Sequence, residues 1–295
     1  AKKILAVVKQ ELVELRAKYG SERKTQVFAG AVDKFTQEDL IPNEACMVII
    51  TRDGYLKRLP SDTFKSQGRG GKGVIGLTAK EEDFVEHLFS TTTHADLLFF
   101  TTRGRVFELK AYDVPPSSRT AKGQAVVNFL QLAPEEKVSE VLSLTDWEGY
   151  KYLIMVTKQG VIKKVELNSF ANVRRSGLIA INLKPGDKLQ WVKPSSGEDD
   201  ISLVTAKGQS IRFREQSVRP MGRTAAGVRG IKVKGGDEVA GMDLITEGKA
   251  SPDEELLVIL SNGYGKRTKL REYKLQGRGG SGVKTAQVTP KTGTV

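Results

Sequence analysis

The sequence predicts an all-β fold, a propeller-like ring of five to six small four-stranded blades, preceded by a single α-helix. Three observations carry this. Five times an apolar strand ends in a Gly-centred turn and restarts as a basic strand, with turn glycines at Gly54, Gly104, Gly160, Gly208 and Gly263, 48 to 56 residues apart. Each hairpin then runs into a loop of Arg, Gly and small residues that closes at Gly73, Gly123, Gly177, Gly227 or Gly282, 19 residues after the turn glycine in four repeats and 17 in the third. Only one stretch, at the start, has a helical period. A repeat of this length is one antiparallel sheet, and sheets that cannot bury their faces alone stack into a ring.

The helix is read from Ile4, Leu5, Val8, Leu12, Leu15 and Tyr19, which recur at three- and four-residue intervals with Lys and Glu between them; Gly20 ends it. One helix ahead of a β array reads as the end of a larger preceding domain. Residues 1–24 are therefore assigned to that helix and its linker, and 25–295 to the β array. The apolar run at the N-terminus is broken at once by Lys9 and Glu11, which does not fit a signal peptide, and no stretch approaches the ~20 apolar residues of a membrane helix. A soluble, cytoplasmic protein is expected.

In each hairpin the first strand is almost continuously apolar, as in Leu97-Leu98-Phe99-Phe100, Tyr152-Leu153-Ile154-Met155-Val156 and Leu256-Leu257-Val258-Ile259-Leu260, and such strands are expected to be covered on both faces. The lone cysteine, Cys46, lies in the first of them as a buried filler. The second strand alternates, and this places Lys57, Lys163, Arg212 and Lys266 on the outer side of their blades. A further pattern, Lys-x-x-Asp/Glu-x-Val, precedes the next strand near Pro134 to Val138 and Lys234 to Val239. The acidic clusters Glu81-Glu82-Asp83 and Asp199-Asp200 read as solvated turns. The last repeat reaches Thr292-Gly293-Thr294-Val295 where another blade would start, so the expectation is a fragment truncated in its last blade. A sixth hairpin beyond it, an open ring, or closure by the strand near Thr25 to Phe28 all remain open.

Lys+Arg 47 against Asp+Glu 35 gives a formal charge of +12, which favours a polyanion through long-range attraction and counterion release. The placement of the cations says more. Gln67-Gly68-Arg69-Gly70-Gly71-Lys72-Gly73 combines four glycines with two cations, so the backbone can approach a surface closely while Arg69 forks onto phosphate and Lys72 supplies a point charge. The later loops repeat the plan with Arg119 and Lys122, Arg174 and Arg175, Arg223 and Arg229, and Arg278; Lys266 and Arg267 follow the last turn. An Arg stands four residues before the closing glycine in four loops and three before it at Arg174. Glycine-rich corners alone would not keep that Arg, so duplex DNA is the expected partner, read through its backbone. A dinucleotide site is rejected because no helix follows the loop, and a Walker loop because Val74 stands where Lys is needed. His87 and His94 are separated and have no Cys nearby, so no metal is expected. No nucleophile pairs with a base. A protein-interaction propeller would show aromatic or apolar anchors where this chain has cations.

The helix ending in Lys18-Tyr19-Gly20-Ser21-Glu22-Arg23-Lys24-Thr25, the Gln67 to Gly73 loop and Asn262-Gly263-Tyr264-Gly265-Lys266-Arg267 resemble, over essentially the whole chain, the C-terminal part of the A subunit of bacterial DNA gyrase. The resemblance implies a β-pinwheel, whose blades exchange strands, with a basic rim that wraps DNA and so gives ATP-dependent negative supercoiling its direction. It implies that the initial helix is the end of the coiled coil from the cleavage core. The glycine-rich heptapeptide separates that family from topoisomerase IV, the alternative reading; its commonest form has Arg second, where this chain has Gly68. The family's attacking tyrosine lies upstream, so no catalytic residue is expected. Neither is a cofactor, since ATP and Mg act elsewhere in the holoenzyme. The implied partners are double-stranded DNA and the gyrase B subunit in an A2B2 assembly, with this chain monomeric on its own.

Overall fold

The computed structural model describes residues 2–21, 25, 37–64, 68–69, 83–144, 148–246 and 254–295. Two compact units result, Ala1–Leu40 and Ile41–Val295. The boundary expected between 24 and 25 falls beside residues 22–24, which lie outside the described set. In the first unit, α1 spans Lys2–Tyr19. Gly20 donates its N–H to the Arg16 carbonyl at 2.8 Å, and a Cβ there would clash with that oxygen, so the helix stops at a residue without one. Its apolar stripe, Ile4, Leu5, Val8, Leu12 and Leu15, is exposed.

Among the described residues, the second unit contains eighteen strands. Three long strands make each of the first four repeats: β1 (Ala45–Thr51), β2 (Tyr55–Pro60) and β3 (Val85–Thr92); β4 (Asp96–Thr101), β5 (Arg105–Lys110) and β7 (Val138–Leu144); β8 (Tyr152–Thr157), β9 (Val161–Glu166) and β11 (Leu189–Ser195); β12 (Asp200–Thr205), β13 (Gln209–Arg214) and β15 (Val239–Ile245). The fifth contributes β16 (Glu255–Ile259) and β17 (Gly265–Lys269). Four two-residue strands follow the hairpins of repeats two to five: β6 (Gln124–Ala125), β10 (Leu178–Ile179), β14 (Val228–Arg229) and β18 (Val283–Lys284).

The first four hairpin turns are made the same way. Gly54, at φ +82°, donates its N–H to the Thr51 carbonyl at 2.9 Å, while the Thr51 hydroxyl accepts the Tyr55 N–H at 3.1 Å. Thr101/Gly104, Thr157/Gly160 and Thr205/Gly208 repeat both bonds. The short strands then join the wrong blade. β6 follows the second hairpin yet pairs with β2 of the first; β10 pairs with β5, β14 with β9, and β18 with β13. In every case the N–H that follows or ends the exchanged strand (Val126, Ala180, Gly230, Thr285) donates to the turn-glycine carbonyl of the preceding repeat, at 2.8 Å. Four sheets of four strands result, ordered β3-β1-β2-β6 and its equivalents, plus the pair β16-β17.

Cores lie between blades. Leu97 and Phe99 of β4 pack towards Val48, Ile50 and Leu56, whereas Leu98 and Phe100 pack towards Leu153, Met155 and Val165. The alternation that would expose one face of an isolated sheet here feeds two interfaces, and each fully buried Phe contributes about 1.5–3 kcal/mol. A third core joins β8 and β9 to β12 and β13; a small fourth, around Val258, Leu260 and Ala286, serves the last hairpin. Because β7 touches β3 on one side and β11 on the other, and β11 touches β15, these strands form the inner edge. The exchanged strands lie at the opposite, outer edge.

Three expectations are corrected. Lys57 and Lys163 do not face outward: they are 1% and 0% exposed, because the loop of the next repeat covers that face. Arg212 is half-buried and paired with Asp200 at 2.7 Å. Leu256 to Leu260 is not covered on both faces, since Leu257 and Ile259 are 57% and 60% exposed, and among the described residues β16 has only β17 beside it. Asp83, Asp199 and Asp200 are not solvated: Asp83 accepts the Asp53 N–H at 3.1 Å, and Asp199 the Ser196 N–H at 2.9 Å. Glu81 and Glu82 lie outside the described residues. The Lys-x-x-Asp pattern is a related device, with Asp187 and Asp237 accepting the turn N–H groups of Gln159 and Lys207 at 3.0 and 2.9 Å.

Candidate nucleic-acid interface

Strand exchange decides where the predicted cations stand. To reach the preceding blade, the chain leaves each of the second to fifth hairpins, crosses the seam between sheets and runs along the outer strand of its neighbour. The basic loops of repeats two to five are that crossing. Ser117 N–H bonds the Arg58 carbonyl at 3.0 Å, Met221 the Lys164 carbonyl at 2.8 Å, and Gln276 the Arg212 carbonyl at 2.8 Å. Each crossing closes on a glycine because the preceding blade lies too near for a side chain: a Cβ on Gly123 would lie 2.6 Å from the Leu56 oxygen, on Gly227 2.7 Å from the Ile162 oxygen, and on Gly177 2.7 Å from the Phe107 ring. The glycines are thus required by the fold, and the Arg and Lys side chains give these loops their charge.

Arg174 and Arg175 are exposed in a turn closed by Gly177 N–H to the Arg174 carbonyl at 2.8 Å. Arg229 is exposed on β14, and Arg223 half-buried before it. Arg119 and Lys122 are half-buried; the Lys122 ammonium stands 3.6 Å from the centre of the Tyr55 ring, a cation–π contact that holds it against the first blade. Arg278 donates to the carbonyls of Ser217 at 3.2 Å and Arg229 at 2.6 Å, so the fourth crossing is tied to the third with two of its five N–H donors. Lys266 and Arg267 are exposed on β17, where Arg267 lies 3.3 Å from Glu255. Arg69 is exposed; Gln67, Gly70, Gly71, Lys72 and Gly73 lie outside the described residues. The structure therefore places Arg119, Lys122, Arg174, Arg175, Arg223, Arg229 and Arg278 along one outer edge, at successive seams.

Sequence reasoning missed what lies beneath. Lys57 and Lys163 stand three residues after their turn glycines and donate to loop carbonyls, Lys57 to Arg119 at 2.6 Å and Ala121 at 2.8 Å, Lys163 to Ala180 at 2.7 Å and to Arg223. Burial holds both ammonium groups below their ordinary range; for Lys163 the nearby Arg223 adds to the effect and the value falls to about 8. One residue on, Lys164 meets the fully buried Glu215 at 2.8 Å, and Ser195 Oγ donates to the same carboxylate at 2.9 Å. Arg105 pairs with Glu136, which also accepts from Thr101. The available signal for Lys57 and Lys163 was their shared offset from the turn.

The profile of a family described as DNA gyrase C-terminal domain, beta-propeller, matches residues 47–92, 95–144, 151–196, 199–246 and 254–295, one segment per repeat. The DNA gyrase A subunit of Staphylococcus epidermidis is 42% identical over 293 residues, covering 99% of this chain and 32% of that protein. That of Staphylococcus aureus is 43% identical over the same length, covering 33% of it. The chain thus spans about a third of the length of the curated relatives it matches. Among solved structures, a DNA topoisomerase IV C-terminal domain superposes with TM-score 0.70 at 29% identity, over 86% of this chain and 76% of that one. A DNA gyrase A C-terminal domain gives 0.67 at 26%, over 85% and 80%.

Proposed function

The chain belongs to the DNA gyrase C-terminal domain family, and from that premise we propose that it binds duplex DNA along the outer edge of its blades and bends it around them. The observation that carries this reading is the recurrence of exposed and half-buried cations at successive seams, each on or beside a loop that strand exchange brings to the outer edge. Bending a 20–30 base-pair site costs about 1–6 kcal/mol by elastic estimates, so one basic patch would not hold a bend. Contacts spread over several blades would. The domain acts on DNA without chemistry of its own and without a cofactor. In the full-length protein, partnered with the gyrase B subunit in an A2B2 enzyme of the bacterial cytoplasm, it presents the bent segment to the cleavage core so that supercoiling has a direction. On its own the chain binds as a monomer.

The topoisomerase IV counterpart remains the second reading, supported by the superposition on that domain. The gyrase identity of the 42–43% relatives and the glycine-rich Gln67 to Gly73 stretch favour the first. Equilibrium binding to mixed-sequence duplexes over a range of salt tests the proposal. Each neutralised phosphate is expected to add ~0.9 to the log–log slope, with little base preference and no effect of chelators. Affinity indifferent to salt, or confined to one sequence, would overturn it.

A further inference from the structure

The two lysines buried under the crossing loops raise a question that fold stability does not answer. Repeats two and four hold Phe107 and Ile211 at the position of Lys57 and Lys163, and both are buried there. An apolar residue is therefore compatible with the blade, and a desolvated ammonium is the costlier choice. What the ammonium adds is direction. It donates to two carbonyls of the overlying chain, and in both repeats one of them belongs to a loop arginine, Arg119 or Arg223. Lys163 also holds Ala180, just after the second crossing, so it joins two consecutive loops. Asn182 completes that junction, its side chain donating to the Thr224 carbonyl at 2.5 Å.

We propose that Lys57 and Lys163 are positioning residues for the nucleic-acid surface, fixing from inside the blade the backbone of the loops that present Arg119, Lys122 and Arg223 to DNA. The proposal rests on the reading of the outer edge given above. A loop held in its bound shape does not have its ordering entropy charged against binding. The lock is also linked to the ligand. Arg223 is the charged group that acts on Lys163 through space. Opposite Lys163 on β8 stands Met155, Arg229 is exposed on β14, and Lys164 points to the other face of β9, where it pairs with Glu215. A phosphate at the Arg223 guanidinium would offset its repulsion of the buried ammonium, so DNA binding should strengthen the hold of Lys163 on its proton.

The test uses the 295-residue chain, a linear mixed-sequence duplex, and the variants Lys163→Met, Lys163→Ile and Arg223→Ala. Lys163→Ile carries the residue that repeat four uses at this place, so a folded variant is secured even if Met packs badly. With far-UV circular dichroism unchanged, the Lys163 variants should lose ~0.9 from the salt slope, as Arg223→Ala does, and combining the two substitutions should cost no more than either alone. Calorimetry near pH 8 in two buffers of different ionisation enthalpy should show wild-type binding taking up a fraction of a proton, and the Lys163 variants taking up none. If the Lys163 variants keep the wild-type slope and proton uptake while Arg223→Ala loses its contact, the positioning role is overturned and the outer-edge reading stands. If Arg223→Ala also binds as wild type, the outer-edge reading fails, and this inference with it.

Discussion

At Gly227 the chain crosses β9 at φ +85°, and a Cβ would lie 2.7 Å from the Ile162 oxygen. Both the dihedral and the approach exclude a side chain, so Gly227→Ala should destabilise by about 1–3 kcal/mol, read as a lowered midpoint in urea, and should weaken DNA binding with it. Gly222, nearby, has open space at its Cβ and no positive φ, and Gly222→Ala should do neither. The buried lysine beside Gly227 gives a pH dependence whose sign can be worked out. Lys163 has its affinity for the proton lowered in the folded state, to about 8 from 10.5. Between those values the unfolded chain binds the proton and the folded one does not, so stability rises with pH across the window. Below pH 8 the buried charge is present in full and costs most. Thermal unfolding from pH 7 to 10 should therefore show wild type gaining on Lys163→Met as pH rises; a difference that is flat or of opposite sign would contradict the assignment. Alternation alone places Lys57 and Lys163 outside, as it would in an isolated sheet. What turned them inside is a loop some 60 residues away in sequence, a contact that no local pattern encodes.

At the scale of the element, the hairpins were legible and their partners were not. Thr-x-x-Gly turns and unbroken apolar runs mark β1, β4 and β8 from the sequence alone. The two-residue strands β6, β10, β14 and β18 have no periodicity to read, yet they carry the exchange on which the whole outer edge depends. The fifth hairpin shows the reverse case: Leu257 and Ile259 have the pattern of a core strand but are exposed, since burial depends on a neighbour and not on the strand. The Lys164–Glu215 pair ties β9 to the segment after β13. Taking one charge from a buried pair leaves the other uncompensated, at about 3–5 kcal/mol. Glu215→Gln and Lys164→Met should each lower stability by that order, and the double variant should recover part of the loss. Equal destabilisation in all three would mean that Ser195 and the backbone donors around Glu215, not the lysine, secure the turn.

For the whole molecule, the family is legible in the N-terminal helix, the first loop and the last turn, and the five matched segments agree with it. The geometry sets the loop cations at separate seams. If DNA follows the outer edge, neutralising Arg119 and Lys122, Arg174 and Arg175, or Arg223 and Arg229 should each shorten the protected arc at a different place, because each pair stands at a different seam. In the parent enzyme, replacing Arg69 and Lys72 by Ala should suppress directional supercoiling and leave cleavage and relaxation largely intact; equal loss of all three would refute that division of labour. The central claim, that the chain bends DNA around itself with one handedness, is tested most directly by ligating nicked circular DNA in its presence and measuring linking number after the protein is removed. A chiral bend predicts a shift of one sign that grows with the amount of bound protein and shrinks with each neutralised pair. An unshifted distribution with the DNA fully bound would contradict it.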